Sequence, residues 1–256
     1  MIEAAVITGA AHGIGKSFAT RLAAEGAQLW LVDKNEDALA ALARQLTDRH
    51  GAKVEALTAN LADPSDQRRV ADRISALDRV DLLVNAAGFG APAAFHDLDP
   101  EAHMEMLDVH VTSAVRFCRA VLPGMVAHRR GAIINISSQI SFLYSGGNAM
   151  YGSTKRFIDA FSRNLHATYK RKGVRIQLMV PAYVRTSFHE SDYYSAETLK
   201  KVPGFFWMDV DVLTSAALRQ LSTGRLVCVP GFWHKITYVL LSRYLVPMWL
   251  LRKLSI

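Results

Sequence analysis

Short apolar segments recur along the chain, separated by stretches long enough for a helix, and this alternation most constrains the fold. Several segments are almost continuous valine, isoleucine and leucine, which is typical of strands covered on both faces. Strands that alternate with helices predict an α/β fold built on a doubly wound parallel sheet, with right-handed crossovers that place helices on both sides. The predicted strands are residues 4–8, 28–32, 53–58, 81–85, 131–137, 175–180 and 225–229.

Length and composition predict a single domain over residues 1–256. Half of the 256 residues are apolar and 21% are charged, which suffices for one large core, and no repeat, low-complexity tract or polar linker divides the sequence. The first residues include the acidic Glu3 and run directly into a glycine turn, unlike a secretory signal, so a cytoplasmic location is expected. Cys118 and Cys228 lack the spacing of a metal site or a disulfide framework, and no metal is predicted.

The formal net charge of +7 bears on association and not on the fold. It favours anionic cofactors, acidic proteins or anionic lipid as partners. The basic residues form small groups near the predicted ends of helices, where cations complement the helix dipole and face water. Because no basic stripe or reading motif is present, nucleic-acid binding is not expected.

A glycine-rich turn from Thr8 to Gly15 follows the first predicted strand. Its three glycines allow the backbone to turn tightly, to approach phosphate oxygens and to pack the next helix close to the sheet. That predicted helix, residues 14–25, directs its N-terminus at the anion. Because a second strand with an acidic end follows, the sequence predicts a Rossmann-type fold that binds a dinucleotide.

The acidic residue at the end of the second strand is Asp33. Its carboxylate can accept hydrogen bonds from both adenosine ribose hydroxyls and would repel a 2′-phosphate, which favours NAD. Lys34 partly offsets that repulsion, so NADP stays open. Asn60 and Leu61, after the third strand, either flank the adenine or form a helix-entry turn with the Asp-Pro pair that follows.

A tyrosine and a lysine one helical turn apart, Tyr151 and Lys155, follow Ser138 in the sequence. Reducing a carbonyl with a nicotinamide hydride requires a proton at the oxygen, and the reverse reaction requires its removal. The four-residue spacing puts the Lys155 ammonium beside the phenol, which is predicted to lower the pKa of Tyr151. Ser138, at the end of the fifth strand, is predicted to donate a hydrogen bond to the substrate oxygen.

Four elements occur in chain order: the glycine turn, the Asn-Ala-Ala-Gly segment 85–88, Ser138, and the pair Tyr151 and Lys155. With them, the sequence resembles the short-chain dehydrogenase/reductase family, in its compact branch of about this length, over roughly residues 4–186. The resemblance implies that Tyr151 is the acid/base, that Lys155 modifies its pKa and contacts the ribose, and that Ser138 positions the substrate oxygen. The predicted cofactor-binding residues include Asp33, Asn60, Leu61, Tyr151 and Lys155, which are discussed above. The others are Thr8, Gly9, His12, Gly13, Ile14, Gly15, Asn85, Ala87, Gly88, Pro181, Val184 and Thr186.

The chain departs from the family pattern at His110, where the family usually has asparagine. In the family, that asparagine and a local helix distortion hold a water that connects the lysine to solvent. Histidine donates at one nitrogen, accepts at the other and titrates near neutrality, so His110 is a candidate to replace this relay among the catalytic residues. Two alternatives stay open: a structural histidine in a competent enzyme, or a chemically impaired site.

The side chains expected around the substrate are mostly apolar and aromatic, which suits a lipophilic alcohol or ketone. Some of these apolar residues belong to the core instead, because burial needs no ligand to explain it. Arg185, near the expected entrance, leaves an acidic or thioester substrate open. The predicted substrate residues are Phe89, Ile140, Tyr144, Tyr183 and Phe188.

Two aromatic-rich segments lie toward the end of the chain. Residues 187–211 follow a strand end, where a parallel sheet binds its ligand, and are a predicted substrate lid, with an ordinary surface excursion as the alternative. Residues 230–256 form a predicted apolar helical tail. No uncharged run in this tail reaches the roughly 18 residues that a spanning helix requires. The tail packs on the protein or on a second subunit, or makes peripheral contact with a membrane.

These observations predict an NAD(P)-dependent oxidoreductase that interconverts a secondary alcohol and a ketone on a lipophilic substrate of acyl, steroid-like or polyketide type. The resemblance also implies a homodimer or homotetramer. The alternative is a nucleotide-binding regulator or scaffold of the same fold with impaired chemistry, whose tail docks on a membrane or a partner.

Overall fold

The computed structural model describes residues 1–143, 147–186, 188 and 202–242. Its main strands are β1 (Ala4–Thr8), β2 (Gln28–Asp33), β3 (Val54–Thr58), β4 (Leu82–Asn85), β5 (Gly131–Ile136), β6 (Val174–Met179) and, after two shorter strands, β9 (Val227–Cys228). They form one parallel sheet in the order β3-β2-β1-β4-β5-β6-β9. The predicted doubly wound parallel sheet is therefore confirmed.

All seven predicted strands are present, and their bounds differ from the predicted ones by at most two residues. Two further strands, β7 (Tyr183–Arg185) and β8 (Trp207–Asp209), pair in parallel as a separate small sheet. These strands were not predicted, because three residues are too few to show an apolar period.

The helices begin where side chains satisfy the free backbone donors of the first turn. Asn35, Asp63, Asp99 and Asp209 each accept a hydrogen bond from a backbone amide one or two residues inside the helix. The helices are α1 (Gly13–Ala24), α2 (Glu36–His50), α3 (Pro64–Ser75), α4 (Pro100–Leu107), α5 (Ser113–Ala127), α6 (Ala149–Tyr169), α7 (Val210–Leu221) and α8 (Phe232–Ser242), and a π-helical turn, Asp108–Thr112, joins α4 to α5.

The core lies on both faces of the sheet, in two large clusters of buried side chains. Along β1, Ala5 and Ile7 belong to one cluster, and Ala4 and Val6 belong to the other. Successive residues of a strand point to opposite faces, so this alternation means that both faces of the sheet are covered. The nearly continuous apolar character of the strands follows from that burial.

The order of the strands reverses between β1 and β4. The chain adds β2 and β3 on one side of β1 and then crosses to the other side to form β4. Thr8 and Asn85, the last residues of β1 and β4, are register partners at this reversal. In an open parallel sheet, ligands bind in the crevice outside the carboxyl ends of the strands at such a point.

The structure covers the two aromatic-rich segments in part. Of the predicted lid, Phe188 and residues 202–211 are described, and they include a short 3₁₀ turn, Gly204–Phe206, and β8. Of the predicted tail, residues 230–242 are described, and residues 243–256 lie outside the described part of the chain. Within the residues that the structure covers, none of the helices combines the length and the hydropathy that a membrane span requires.

Asp81, directly before β4, ties the beginning of β1 to the sheet. Its Oδ2 accepts hydrogen bonds from the backbone amides of Glu3, at 2.8 Å, and Ala4, at 3.2 Å. Its Oδ1 accepts from Arg79 Nε at 2.8 Å and lies 3.2 Å from Arg130 Nε. Burial raises the pKa of Asp81, but the guanidinium and amide partners outweigh burial, so the pKa lies below its ordinary value.

We expect Asp81→Asn to lower the free energy of unfolding by about 2–4 kcal/mol at neutral pH, because it leaves two guanidinium groups without their buried carboxylate. The pKa is lowered on folding, so the carboxylate stabilises the protein above its ordinary pKa, and this contribution is lost as the pH falls through the native pKa. Urea denaturation across the acidic range measures both effects. The exposed Asp78→Asn is the matched control, and an equal loss in the two variants would contradict the assignment.

Candidate active site

The carboxyl edge of the sheet gathers the residues that the sequence singled out. Asp33 ends β2, and Ser138 follows the end of β5 by two residues. Tyr151 and Lys155 lie in the first turns of α6, and Thr186 follows β7. Residues separated by as many as 153 positions of sequence therefore face one crevice.

Three glycines allow the turn after β1 to approach the neighbouring backbone. A Cβ at Gly9, where φ is 63°, would lie 2.7 Å from Ala87 Cα, and a Cβ at Gly15 would collide with the Gly9 carbonyl oxygen. At Gly13, where φ is 50°, a Cβ would lie 3.2 Å from the Thr186 side chain. The turn thus leaves the N-terminal amides of α1 open as a cradle of the kind that holds a pyrophosphate. The residues present fit a dinucleotide.

Two predicted cofactor residues act chiefly within the protein. The Thr8 hydroxyl accepts hydrogen bonds from the backbone amides of Ala86 and Ala87, both at 3.2 Å. The buried Asn85 side chain donates to Asn135 Oδ1 at 2.8 Å. Thr8 and Asn85 therefore fix the loop after β4 in place, and the structure gives them this positioning role.

Asp33 stands where the glycine turn meets the end of β2. Its Oδ2 accepts a hydrogen bond from Ala11 N, and its Oδ1 accepts from Asn35 N, both at 3.0 Å. The carboxylate is thus oriented beside the turn, at the edge where the ribose of a dinucleotide lies. His12 is the N-cap residue of α1, but its exposed side chain makes no capping hydrogen bond, and Ile14 packs against the core.

Asn60 and Leu61 lie in the turn that precedes α3. Asn60 N donates to Asp66 Oδ2 at 2.7 Å, and Asn60 Oδ1 accepts from Ala62 N at 3.1 Å. Leu61 is buried in the core. These contacts match the helix-entry turn, which was one of the two alternatives for this segment.

Ser138, Tyr151 and Lys155 lie together at the carboxyl end of β5. The Ser138 side chain is hydrogen-bonded to the Tyr151 phenol. Ser138 also begins a short helical turn, in which its Oγ accepts from Ile140 N at 3.3 Å. Lys155 Nζ lies 5.6 Å from the centroid of the Tyr151 ring and donates to Ile136 O at 3.1 Å.

Burial shifts the pKa values of the tyrosine and the lysine in opposite directions. It raises the pKa of Tyr151 to about 12, and the hydrogen bond from Ser138 opposes only part of that shift. It lowers the pKa of Lys155 to about 8. The predicted lowering of the tyrosine pKa is therefore wrong for this structure, because desolvation of the phenolate outweighs the hydrogen bond that favours it. Tyr151 is held protonated, as a proton donor.

His110 lies in the π-helical turn, and both of its ring nitrogens are hydrogen-bonded. Phe89 N donates to His110 Nε2 at 3.0 Å, so Nε2 is the acceptor. The other nitrogen, Nδ1, lies 2.9 Å from Thr154 Oγ1 and carries the single proton of the neutral ring. The Thr154 hydroxyl in turn donates to Tyr151 O at 2.9 Å. This chain of hydrogen bonds joins the loop after β4 to the first turn of α6.

Burial and the nearby Lys155 ammonium hold the pKa of His110 well below its usual range. A neutral ring with both nitrogens occupied is not free to pass protons, so the geometry favours the structural-histidine alternative over the relay. Gly88 permits this packing, because a Cβ there would lie 3.0 Å from His110 Nε2 and 3.5 Å from Lys155 Nζ. Thr154 was missed by the sequence analysis, and its position next to Lys155 was the available signal.

Three predicted substrate residues lie near the proton donor. The Phe188 ring centroid is 5.9 Å from that of Tyr151. The Phe89 ring packs edge-on against His110 at 5.6 Å. Ile140, half-buried, follows Ser138 in the same turn. Aromatic and aliphatic groups therefore lie near Ser138, Tyr151 and His110.

The segment after β6 contacts the turn that follows β5 and forms part of the small sheet. Pro181 O accepts a backbone hydrogen bond from the turn that follows β5, at 2.9 Å, and Val184 is buried in β7. The Tyr183 ring packs against Trp207 of β8, 5.3 Å away. Tyr144, also predicted to contact substrate, lies outside the described residues.

The fold and this site define a doubly wound α/β protein of the dinucleotide-binding class, and comparisons with known proteins identify the family. The family model for short chain dehydrogenase matches residues 3–195. The chain is 35% identical to a very-long-chain 3-oxoacyl-CoA reductase of Anas platyrhynchos, over 71% of this chain and 60% of that protein. It is 30% identical to the 17-beta-hydroxysteroid dehydrogenase type 3 of Danio rerio, over 97% and 78% of the two proteins.

A solved structure agrees with these relatives. A short-chain dehydrogenase from Sphingobium yanoikuyae, in complex with NADPH, superposes with a TM-score of 0.85 at 31% identity, covering 95% of this chain and 94% of that chain. The chain belongs to the short-chain dehydrogenase family, as its sequence predicted, and is an oxidoreductase of the type that uses NAD or NADP.

We predict that His110 stays neutral in the folded protein, with its proton on Nδ1, when the pH falls below the ordinary pKa of histidine, because burial and the nearby Lys155 hold its pKa well below that value. Two-bond ¹H–¹⁵N correlation spectra of the labelled protein report the tautomer, and His110→Asn assigns the signal. Because the ring is neutral when folded and titrates at its ordinary pKa when unfolded, it lowers stability as the pH falls, by about 1.4 kcal/mol per unit below pH 6.5. His110→Asn lacks this component. A ring that titrates near neutrality in the folded protein contradicts the prediction.

Proposed function

We propose that the chain is an NAD(P)-dependent carbonyl reductase that converts a ketone on a lipophilic substrate to a secondary alcohol. The observation that carries this proposal is the protonated Tyr151 phenol, hydrogen-bonded to Ser138 at the mouth of a dinucleotide-type turn. A phenol that keeps its proton suits the direction in which an oxygen gains negative charge and must be protonated. The same groups serve the reverse reaction at higher pH.

Each residue has a distinct task in the proposed reaction. A nicotinamide nucleotide held at the glycine turn would supply the hydride that the carbonyl carbon receives. Ser138 donates a hydrogen bond to the carbonyl oxygen and orients it, and Tyr151 Oη gives its proton to that oxygen as negative charge develops. Lys155, held by Ile136 O, adds a positive charge close to the phenol and offsets the charge that remains on it. His110 and Thr154 hold the first turn of α6 in position for this transfer.

The substrate class rests on the apolar border of the crevice. Phe89, Ile140 and Phe188 lie near Tyr151 or its neighbours and offer aromatic and aliphatic surface to a hydrophobic substrate. The names of the two relatives, an acyl-CoA reductase and a hydroxysteroid dehydrogenase, support acyl or steroid-like ketones. The exposed Arg185 suits the acidic part of an acyl thioester. Assembly as a homodimer or homotetramer and a cytoplasmic, peripherally membrane-associated location belong to the same proposal.

Tyr151→Phe is expected to lower turnover of a lipophilic ketone by about 100- to 10,000-fold, because it removes the proton donor and keeps the aromatic ring, and nucleotide binding is expected to be retained. Nicotinamide absorbance measures turnover, and fluorescence titration measures nucleotide binding. Tyr169→Phe, at the far end of the same helix, is the control and is expected to retain full turnover. Wild-type protein that binds the nucleotide tightly and turns over no ketone or alcohol would instead favour the regulator or scaffold.

Asp33 is expected to set the choice between the two nucleotides, with NADH preferred. Its carboxylate, oriented by Ala11 N and Asn35 N, repels a 2′-phosphate, so Asp33→Ala is expected to shift the ratio of Kd values toward NADPH by about tenfold or more. Titration of both nucleotides tests this, with Asp37→Ala, on the exposed first turn of α2, as the control of equal charge. A wild-type preference for NADPH would mean that Lys34 outweighs Asp33.

A further inference from the structure

Helix α8 presents an apolar face to solvent. Phe232 is 71% exposed, Trp233 54%, Val239 42% and Leu240 38%. The half-buried Ile236 lies between them at helical spacing, so the five side chains share one face. Large apolar groups gathered on one exposed face mark an interaction surface more often than isolated ones do.

The opposite face of α8 carries the polar groups, and these contact the protein. Gln139 Nε2 donates to His234 O at 2.9 Å, and Thr237 Oγ1 donates to Gln139 Oε1 at 2.8 Å. The buried His234 ring lies 3.0 Å from Phe206 O through Nε2, and Tyr238 packs against the core. A surface helix in water normally has polar groups outside and apolar groups inside. In α8, hydrogen bonds fix the inner face and leave apolar groups outside.

The positive charge of the chain is concentrated in the same segment. Residues 212–256 contain six basic residues and no acidic one, whereas the rest of the chain has 24 basic and 23 acidic residues. Lys235 flanks the apolar face of α8 and is exposed. The net charge of +7 therefore comes almost entirely from the segment that bears this face.

We propose that the outer face of α8 docks on the surface of an anionic lipid bilayer. Its aromatic and aliphatic side chains enter the boundary between headgroups and acyl chains, and Lys235 pairs with anionic headgroups. The described part of α8, Phe232–Ser242, does not meet the length and hydropathy of a membrane span, and its exposed apolar groups share one face, so we place this part in the plane of the interface.

Charge decides between a lipid surface and a second copy of the chain. Two copies that met through α8 would bring two positive segments together, and like charges at an interface oppose association. An anionic surface offers charge opposite to that of Lys235 and to the net charge of this segment. The combination of exposed apolar groups and unbalanced positive charge fits the bilayer.

Docking through α8 brings the crevice close to the lipid. Gln139, which bonds to α8, follows Ser138 directly, and Phe206 lies in the turn before β8. A lipophilic ketone dissolved in the bilayer then reaches Ser138 and Tyr151 with little exposure to water. This consequence rests on the proposed function, whereas the docking itself does not.

Co-sedimentation of the full-length protein with vesicles tests the docking without any substrate. Binding is expected to phosphatidylcholine vesicles that contain phosphatidylserine, and to be much weaker without it. Phe232→Ser/Val239→Ser is expected to weaken binding about tenfold through lost apolar contact. Lys235→Glu is expected to weaken it about fivefold or more, since one basic residue near an anionic surface contributes about that factor.

Matched control variants outside α8 show whether the loss of vesicle binding is specific to α8 or follows from any change in surface hydrophobicity or charge. Met104→Ser/Val212→Ser removes two apolar side chains that are 49% and 55% exposed, and Lys53→Glu changes the net charge as Lys235→Glu does. Both controls are expected to bind like the wild type, and thermal melting establishes that every variant is folded. Equal loss in the α8 and control variants, or absence of binding to anionic vesicles, would overturn the proposal. A change of oligomeric state in Phe232→Ser/Val239→Ser by light scattering, with vesicle binding intact, would assign the face to a second copy and also overturn it.

Discussion

The rest of the structure depends on a close approach of backbones at the carboxyl ends of β1 and β4. Gly9 has no room for a Cβ against Ala87, and one residue later Gly88 lies against the His110 ring and Lys155 Nζ. The loop after β4 therefore contacts the glycine turn on one side and the catalytic helix on the other. A side chain at either glycine would push the glycine turn or the catalytic helix away from the loop after β4. Only backbone atoms fit at these two contacts.

Burial is the largest influence on the pKa values of Tyr151, Lys155 and His110. Desolvation raises the pKa of Tyr151, lowers that of Lys155 and holds that of His110 well below its usual range, so each group is shifted toward its neutral form. Buried polar groups need partners within the protein, and His110 finds them in Phe89 and Thr154. Preorganised donors in a dry crevice act most strongly where charge develops, so the proton stays on the phenol until a substrate oxyanion draws it.

The sheet was predictable because buried strands need continuous apolar runs, and the Tyr151–Lys155 pair because one helical turn separates the two residues. Ser138 was predicted from its place at the end of a strand and from the resemblance to the family. The direction of the Tyr151 pKa was not predictable, because burial is contributed by segments that are distant in sequence. The same holds for His110, whose partners lie 21 and 44 residues away, so its residue type alone left relay and structural roles open. The strands β7 and β8 pair with each other, and each is too short to show a strand pattern in the sequence.

Helix α8 shows why the mean hydropathy of a segment does not reveal which of its faces is exposed. The sequence of α8 has polar residues, among them His234 and Thr237, between large apolar ones, and only the fold shows which face is turned inward. A buried polar group is costly unless it is hydrogen-bonded, so the partners that Gln139 and Phe206 offer to His234 and Thr237 determine which way the helix rotates. That rotation turns Phe232 outward, at a cost of about 25 cal/mol for each Å² of apolar surface left in water. An apolar medium outside the helix removes that cost, so the inner hydrogen bonds are what prepare α8 for a lipid surface.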